Sequence, residues 1–230
     1  MSDITNNKFD FFHGSEADQY NFYRIPKLLF TDKRFSKVVD MVGEITYKPH
    51  KDGYAFLVHE IIEQMLSIKA GAKIYSRLQE LCGGEVTAEA VSRLSNEEIK
   101  SIGTANAKVS YIRNVTDAFI SGELQLDSLS ELSDRDVYRT LTGIKGIGSW
   151  TAKMYLIFVL DRQDILPIED AAFLQSYKWM YKTDDVSKPT VEKKCKKWSP
   201  YSSIAARYLY RALDMGLTKE AFHLFKECEE

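Results

Sequence analysis

Cysteine is scarce and badly placed for chemistry. Cys82, Cys195 and Cys228 lie far apart, and none belongs to a C-x-x-C pair. That excludes a disulfide framework and a cysteine zinc site, and it points to a reducing, cytoplasmic setting. Proline occurs at five positions, and alternating β-branched runs are nearly absent, which leaves little material for a sheet. No stretch approaches the roughly 18 consecutive apolar residues of a membrane span. The N-terminus, MSDITNNKFDFF, lacks the basic-then-apolar order of a signal peptide. Basic charge is not in excess either: 31 Lys and Arg against 33 Asp and Glu give a net charge of −2. A uniformly basic surface is excluded. A polyanionic partner is not, because counterion release depends on local cations rather than on the total.

What is present is helical periodicity. Leu57, Val58, Ile61, Ile62, Met65, Leu66 and Ile68 follow the i, i+3, i+4, i+7 spacing of two helices broken near residues 67–71. Two later segments echo one another. LSNEEIKSIG (94–103) and LSDRDVYRTLTG (132–143) each place an acid three residues after a serine. Ser95 with Glu98 fits a capping box, and Ser133 with Asp136 is a looser version of it. Each leads through a glycine turn to a second helix, and WTAKMYLIFVL is apolar almost all round, which predicts burial. Pro167 suits a helix start and puts Glu169 and Asp170 in or beside the first turn, where the helix dipole favours acids. A last helix follows KKWSPYSS and ends at Gly216. The chain is read as all-α.

Between the helices of the second echo lies LTGIKGIGSW (141–150), with Gly143, Gly146 and Gly148 interrupting an apolar run. Glycine inside an element costs roughly 0.5–1 kcal/mol relative to alanine, so something must approach the backbone there. Such a turn lets N–H groups at a helix start face an anion unobstructed by β-carbons. A tight helix–helix turn explains the same spacing. No strand precedes it and no Gly-Lys-Ser/Thr follows, so Rossmann and Walker loops are excluded.

These residues carry a resemblance. LTGIKGIGSWTAKMYLIFVLDRQDILPIEDAAFLQ (141–175) resembles the hairpin and catalytic segment of helix-hairpin-helix DNA glycosylases, most nearly the 3-methyladenine DNA glycosylase II branch. LVHEIIEQMLSIKAGAKIYSRL (57–78), residues 99–124 and WSPYSSIAARYLYRAL (198–213) are similar to further parts of it. The resemblance implies a two-lobed helical fold and double-stranded DNA with a damaged base as partner. A central lobe would span 55–165, with 38–54 and 166–230 forming the other. It implies a catalytic aspartate at Asp170 and DNA contacts from Gly143, Lys145, Gly146, Ile147, Gly148 and Thr151. Met65 or Leu66 would fill the gap left by a flipped base, and Trp150, Tyr47, Tyr54 and Glu63 would line the base pocket.

The bifunctional members carry a nucleophilic lysine at the position of Trp150, so the resemblance implies a monofunctional, water-using enzyme. The cysteine quartet of the iron–sulfur branch is missing, and no cofactor is expected. A sodium or potassium ion on the carbonyls of Thr142, Ile144 and Ile147 is optional. A monomer is expected.

The sequence departs from the family at Glu63, where a small residue is usual, and at Ser202, where arginine is frequent. The first 37 residues, including FDFFHGSEADQYNFYRIPKLLFTDKRFSK, resemble instead the leader of replication initiator proteins of Gram-positive plasmids and phages. Three other functions therefore stay open: a non-catalytic DNA-binding module, a glycosylase for another base such as hypoxanthine, and an initiator-derived protein.

Overall fold

The computed structural model describes residues 21–22 and 25–224. The initiator-like reading of the leader falls mostly on residues outside that range. Among the described residues the contacts divide the chain into two units. One is Pro49–Leu160; the other comprises the residues up to Lys48 and those from Asp161 onward. The architecture is all-α, and the described strand consists of one two-residue antiparallel pair, β1 (Asn21–Phe22) with β2 (Thr46–Tyr47).

The first unit holds α2 (Gly53–Glu63), α3 (Ile68–Leu81), α4 (Ala88–Arg93), α5 (Asn96–Ser101), α6 (Asn106–Ile120), α7 (Asp134–Gly143) and α8 (Ser149–Phe158). Side-chain caps set most of these starts. The Asp52 carboxylate accepts from Ala55 N at 2.8 Å, and Ser67, Thr87 and Ser133 cap the helices that follow them. Ser95 and Glu98 form the reciprocal capping box, which satisfies two otherwise orphaned donors. α2 is the central helix, buried from Tyr54 to Glu63, and α8 is buried over most of its length. Truncating a fully enclosed residue such as Leu57 to alanine costs about 2–5 kcal/mol. The break after α2 falls at residues 64–67, so Gly71 lies inside α3 and not at the break.

The second unit holds α1 (Lys33–Val42), α9 (Ala171–Tyr181), α10 (Lys188–Cys195) and α11 (Ser202–Asp214). Residues 27–31 form a 3₁₀ turn leading into α1. Phe35 meets the rings of Trp198 and Tyr208, and Phe173 meets Trp198. Asp32 caps α1 through Arg34 N. Its other oxygen is buried and accepts from Tyr181 Oη, from Trp198 Nε1 at 3.2 Å and from Lys197 Nζ at 2.9 Å. The unit core therefore includes the residues read as the end of a leader.

Candidate functional site

The hairpin is an α7–turn–α8 connection. α7 ends at Gly143, Ile147 N donates to Ile144 O at 3.0 Å, and Gly148 is the N-cap of α8. Ile144 and Ile147 turn inward, while Gly143, Lys145 and Gly148 are exposed. The three glycines differ in what they meet. Gly146 has a φ of +114°, and a β-carbon there would lie 2.4 Å from the β-carbon of Tyr111 in α6. Its bareness is needed by the protein's own packing. Around Gly143 and Gly148 a β-carbon would meet nothing within 4 Å. The turn is fastened to α6 again by Asn114 Nδ2, which donates to Lys145 O at 2.8 Å.

Thr151 differs from its expected role as a DNA contact. It is buried, and its hydroxyl accepts from Gln64 Nε2 at 3.3 Å. The same Nε2 donates to Gly146 O at 3.0 Å, so Gln64 ties the end of α2 to the hairpin. Next to it, Met65 has a φ of +60° and is fully exposed, with Leu66 partly exposed beside it. Positive φ is uncommon for a residue with a side chain, and Leu66 N closes this turn on Glu63 O at 2.9 Å. From α6, Lys108 Nζ donates to Ile62 O at 2.7 Å and to Gln64 O at 2.6 Å. Burial pushes the Lys108 pKa down, and the charge of Glu63 draws it part of the way back. Gln64, Lys108, Tyr111 and Asn114 were not singled out in the sequence. Gln64, a polar residue inside an apolar stretch, was the one available signal.

Two of the expected pocket residues, Tyr54 and Glu63, are buried within the first unit. Tyr54 is buried, with its hydroxyl 2.8 Å from Thr116 Oγ1 and its ring against Phe119. A hydroxyl satisfied in the core is a packing feature. Glu63 is also buried and folds over α3, where a β-carbon on Gly71 would stand 2.7 Å from its Cγ. His59 lies between two acids, with Nδ1 3.6 Å from Glu60 Oε1 and Nε2 3.8 Å from Glu63 Oε1. These three residues offer metal-ligand atoms within 4.8 Å of one another. Of these carboxylates, Glu63 has the positive charge of Lys108 near it, as a buried carboxylate requires. Trp150 stands half-buried in the first turn of α8.

In the second unit, Asp170 is the N-cap of α9. It is buried, and its carboxylate accepts from Phe173 N at 2.7 Å. The helix starts at Ala171, so Pro167 precedes it by a turn in which Asp170 N donates to Pro167 O. The neighbouring Glu169 is exposed. The approach to Asp170 is anchored on α11: Ser203 N donates to Gln163 O, and Ile165 N donates to Ser203 Oγ, both at 2.9 Å. Ser202, found in place of an arginine, donates from its N–H and its hydroxyl to the Asp164 carboxylate at the start of α11. Tyr47 donates its hydroxyl to Asp161, and the Arg207 guanidinium lies 3.4 Å from the centre of its ring.

Residues 58–200 match the family described as HhH-GPD superfamily base excision DNA repair protein. The chain is 29% identical over 189 residues to DNA-3-methyladenine glycosylase 1 of Schizosaccharomyces pombe, covering 78% of this chain and 82% of that protein. It is 30% identical over 189 residues to the alkylbase DNA glycosidase-like protein mag2 of the same yeast, covering 78% and 88%. Its fold is similar to the crystal structure of a DNA-3-methyladenine glycosidase from Bacillus halodurans. The TM-score is 0.77 at 32% identity, covering 90% of this chain and 97% of that one.

Proposed function

The chain belongs to the HhH-GPD superfamily of base excision DNA repair proteins, and from that premise we propose that it is a DNA glycosylase hydrolysing the N-glycosidic bond of alkylated purines, 3-methyladenine and 7-methylguanine, in duplex DNA. The observation that carries this reading is the setting of Asp170: a buried carboxylate held at a helix start on an anchored loop.

A carboxylate so placed stabilises an oxocarbenium-like sugar and accepts a proton from the attacking water. The water oxygen bonds to C1′ while the bond from C1′ to the base nitrogen breaks and its electron pair leaves with the base. A methylated purine that is already cationic leaves without prior protonation. Trp150 offers no nucleophile, so the sugar takes water and the strand stays intact. Its ring can contribute on the order of 0.5–2 kcal/mol to a cationic base through its π-face.

The hairpin supports the DNA side of the reading. Gly143 and Gly148 are bare, exposed and free of any need from the protein's own packing, as close approach of a phosphate to the start of α8 requires. The carbonyls of Thr142, Ile144 and Ile147 are the neutral oxygens that an alkali cation takes; a sodium or potassium ion held by them would supply positive charge facing the phosphate. Met65, exposed and in a left-handed conformation, suits a residue pushed into the gap left by a flipped base, with Leu66 beside it. Extrusion itself costs a few kcal/mol, least for damaged bases.

The test is base release from duplexes carrying methylated purines, hypoxanthine or uracil, with the strands examined for cleavage. Free methylpurine and an intact strand support the proposal. Release of hypoxanthine or uracil alone keeps the reaction and changes the substrate. DNA binding with no base released would make the chain a binding module only.

A further inference from the structure

Met65 is fully exposed, with a backbone conformation unusual for its side chain, yet the residues either side of it are firmly held. The last carbonyls of a helix have no intrahelical donor. At the end of α2 two carbonyls, Ile62 O and Gln64 O, converge on the single ammonium of Lys108 at 2.7 and 2.6 Å. Lys108 stands in the first turn of α6, the helix whose Tyr111 packs under Gly146 and whose Asn114 holds Lys145 O. Gln64 closes the loop by donating to Gly146 O. One helix therefore sets the register of both the Met65 turn and the hairpin.

We propose that Lys108 is a positioning residue for the Met65 turn: its ammonium, bonded to Ile62 O and Gln64 O, fixes that turn against the hairpin so that Met65 enters the space of an extruded base. The proposal rests on the glycosylase reading and deepens it. Lys108 touches neither base nor phosphate in this role. A direct phosphate contact would make a different prediction, since such a lysine weakens all DNA binding alike and lowers the salt dependence by about one ion.

The experiment compares wild type, Lys108→Met, Lys108→Arg and the exposed control Lys100→Met. For each, affinity is measured for a duplex with a stable abasic-site analogue and for the same duplex undamaged, beside the thermal midpoint and methylpurine release. A shift of about 1 Å at a positioned group can cost up to roughly a hundredfold. Lys108→Met is therefore expected to lower the abasic-to-undamaged affinity ratio and kcat by at least about tenfold. Binding to undamaged DNA, KM and the thermal midpoint should stay close to wild type. Lys108→Arg should recover part of the ratio, and Lys100→Met should leave it unchanged.

An unchanged ratio in Lys108→Met overturns the inference. So does an equal loss on both duplexes, which would mark a phosphate contact, or a ratio lost together with the thermal midpoint, which would mark a purely structural lysine. A wild type that prefers abasic DNA but releases no methylpurine contradicts the functional reading, while the ratio still judges the positioning of Met65.

Discussion

The backbone of Gly146 lies directly on Tyr111: a β-carbon at position 146 would stand 2.4 Å from the β-carbon of Tyr111. This contact divides the hairpin glycines into one that the fold requires and two that it does not. Gly146→Ala meets both the clash and a positive φ, and should cost at least about 1–3 kcal/mol of stability. Gly143→Ala, at an open and helical position, should leave stability within about 1 kcal/mol of wild type or raise it. Under the proposed function that variant still weakens DNA binding, because its methyl group stands where a phosphate would approach. Denaturant melts beside DNA titrations check both. If Gly143→Ala bound DNA as wild type does, the hairpin glycine would have no role at the phosphate.

Lys145 is exposed at the tip of the turn. Replacing it with alanine should weaken binding to damaged and undamaged duplexes by the same factor and reduce the slope of log K against log salt by about one unit. Titrations at several salt concentrations measure this. A loss confined to damaged DNA would place Lys145 at the base and not at the backbone.

Stability should respond to acid through Asp32. Burial acts to raise its pKa, but hydrogen bonds from Tyr181 and Lys197, the Lys197 charge and the Trp198 indole outweigh it, so the carboxyl sits below its ordinary 3.8. The unfolded chain then binds this proton at a higher pH than the folded one. The contribution is present above the ordinary value and is lost as pH falls through the depressed one. In Asp32→Asn the fall of stability below about pH 4 should become shallower, and stability at neutral pH should drop by about 1–3 kcal/mol. Urea unfolding across the acid range tests it; an unchanged pH profile would show that the carboxylate is not held by these donors.

The local features were legible in the residues themselves. Ser95 and Glu98 cap as their spacing requires, the burial of α8 follows from its apolar faces, and Asp170 stands at a helix start. Features joined across the chain were not legible. Nothing in residues 141–150 shows that Gly146 is bare for the sake of Tyr111, and nothing near Lys108 shows that its ammonium closes the end of α2. Tyr54 was expected at a pocket as an aromatic the resemblance could place there, but Thr116, far along the chain, holds its hydroxyl in the core. The burial of Glu63 was equally out of view: the space that accommodates it is made by Gly71 on the following helix. Periodicity and capping are properties of neighbours, whereas a site is a property of what folding brings together.

The most direct measurement is methylpurine release from N-methylated duplex DNA by wild type and by Asp170→Asn, at matched stability. Asparagine is as good an N-cap as aspartate, so the variant should fold and melt as wild type does. It keeps the acceptor for Phe173 N and loses the carboxylate. The account predicts release by wild type and a fall of at least about 10²-fold in the variant, with DNA binding retained. Equal release from the two proteins would contradict it, because the reaction would then run without the group on which the mechanism depends.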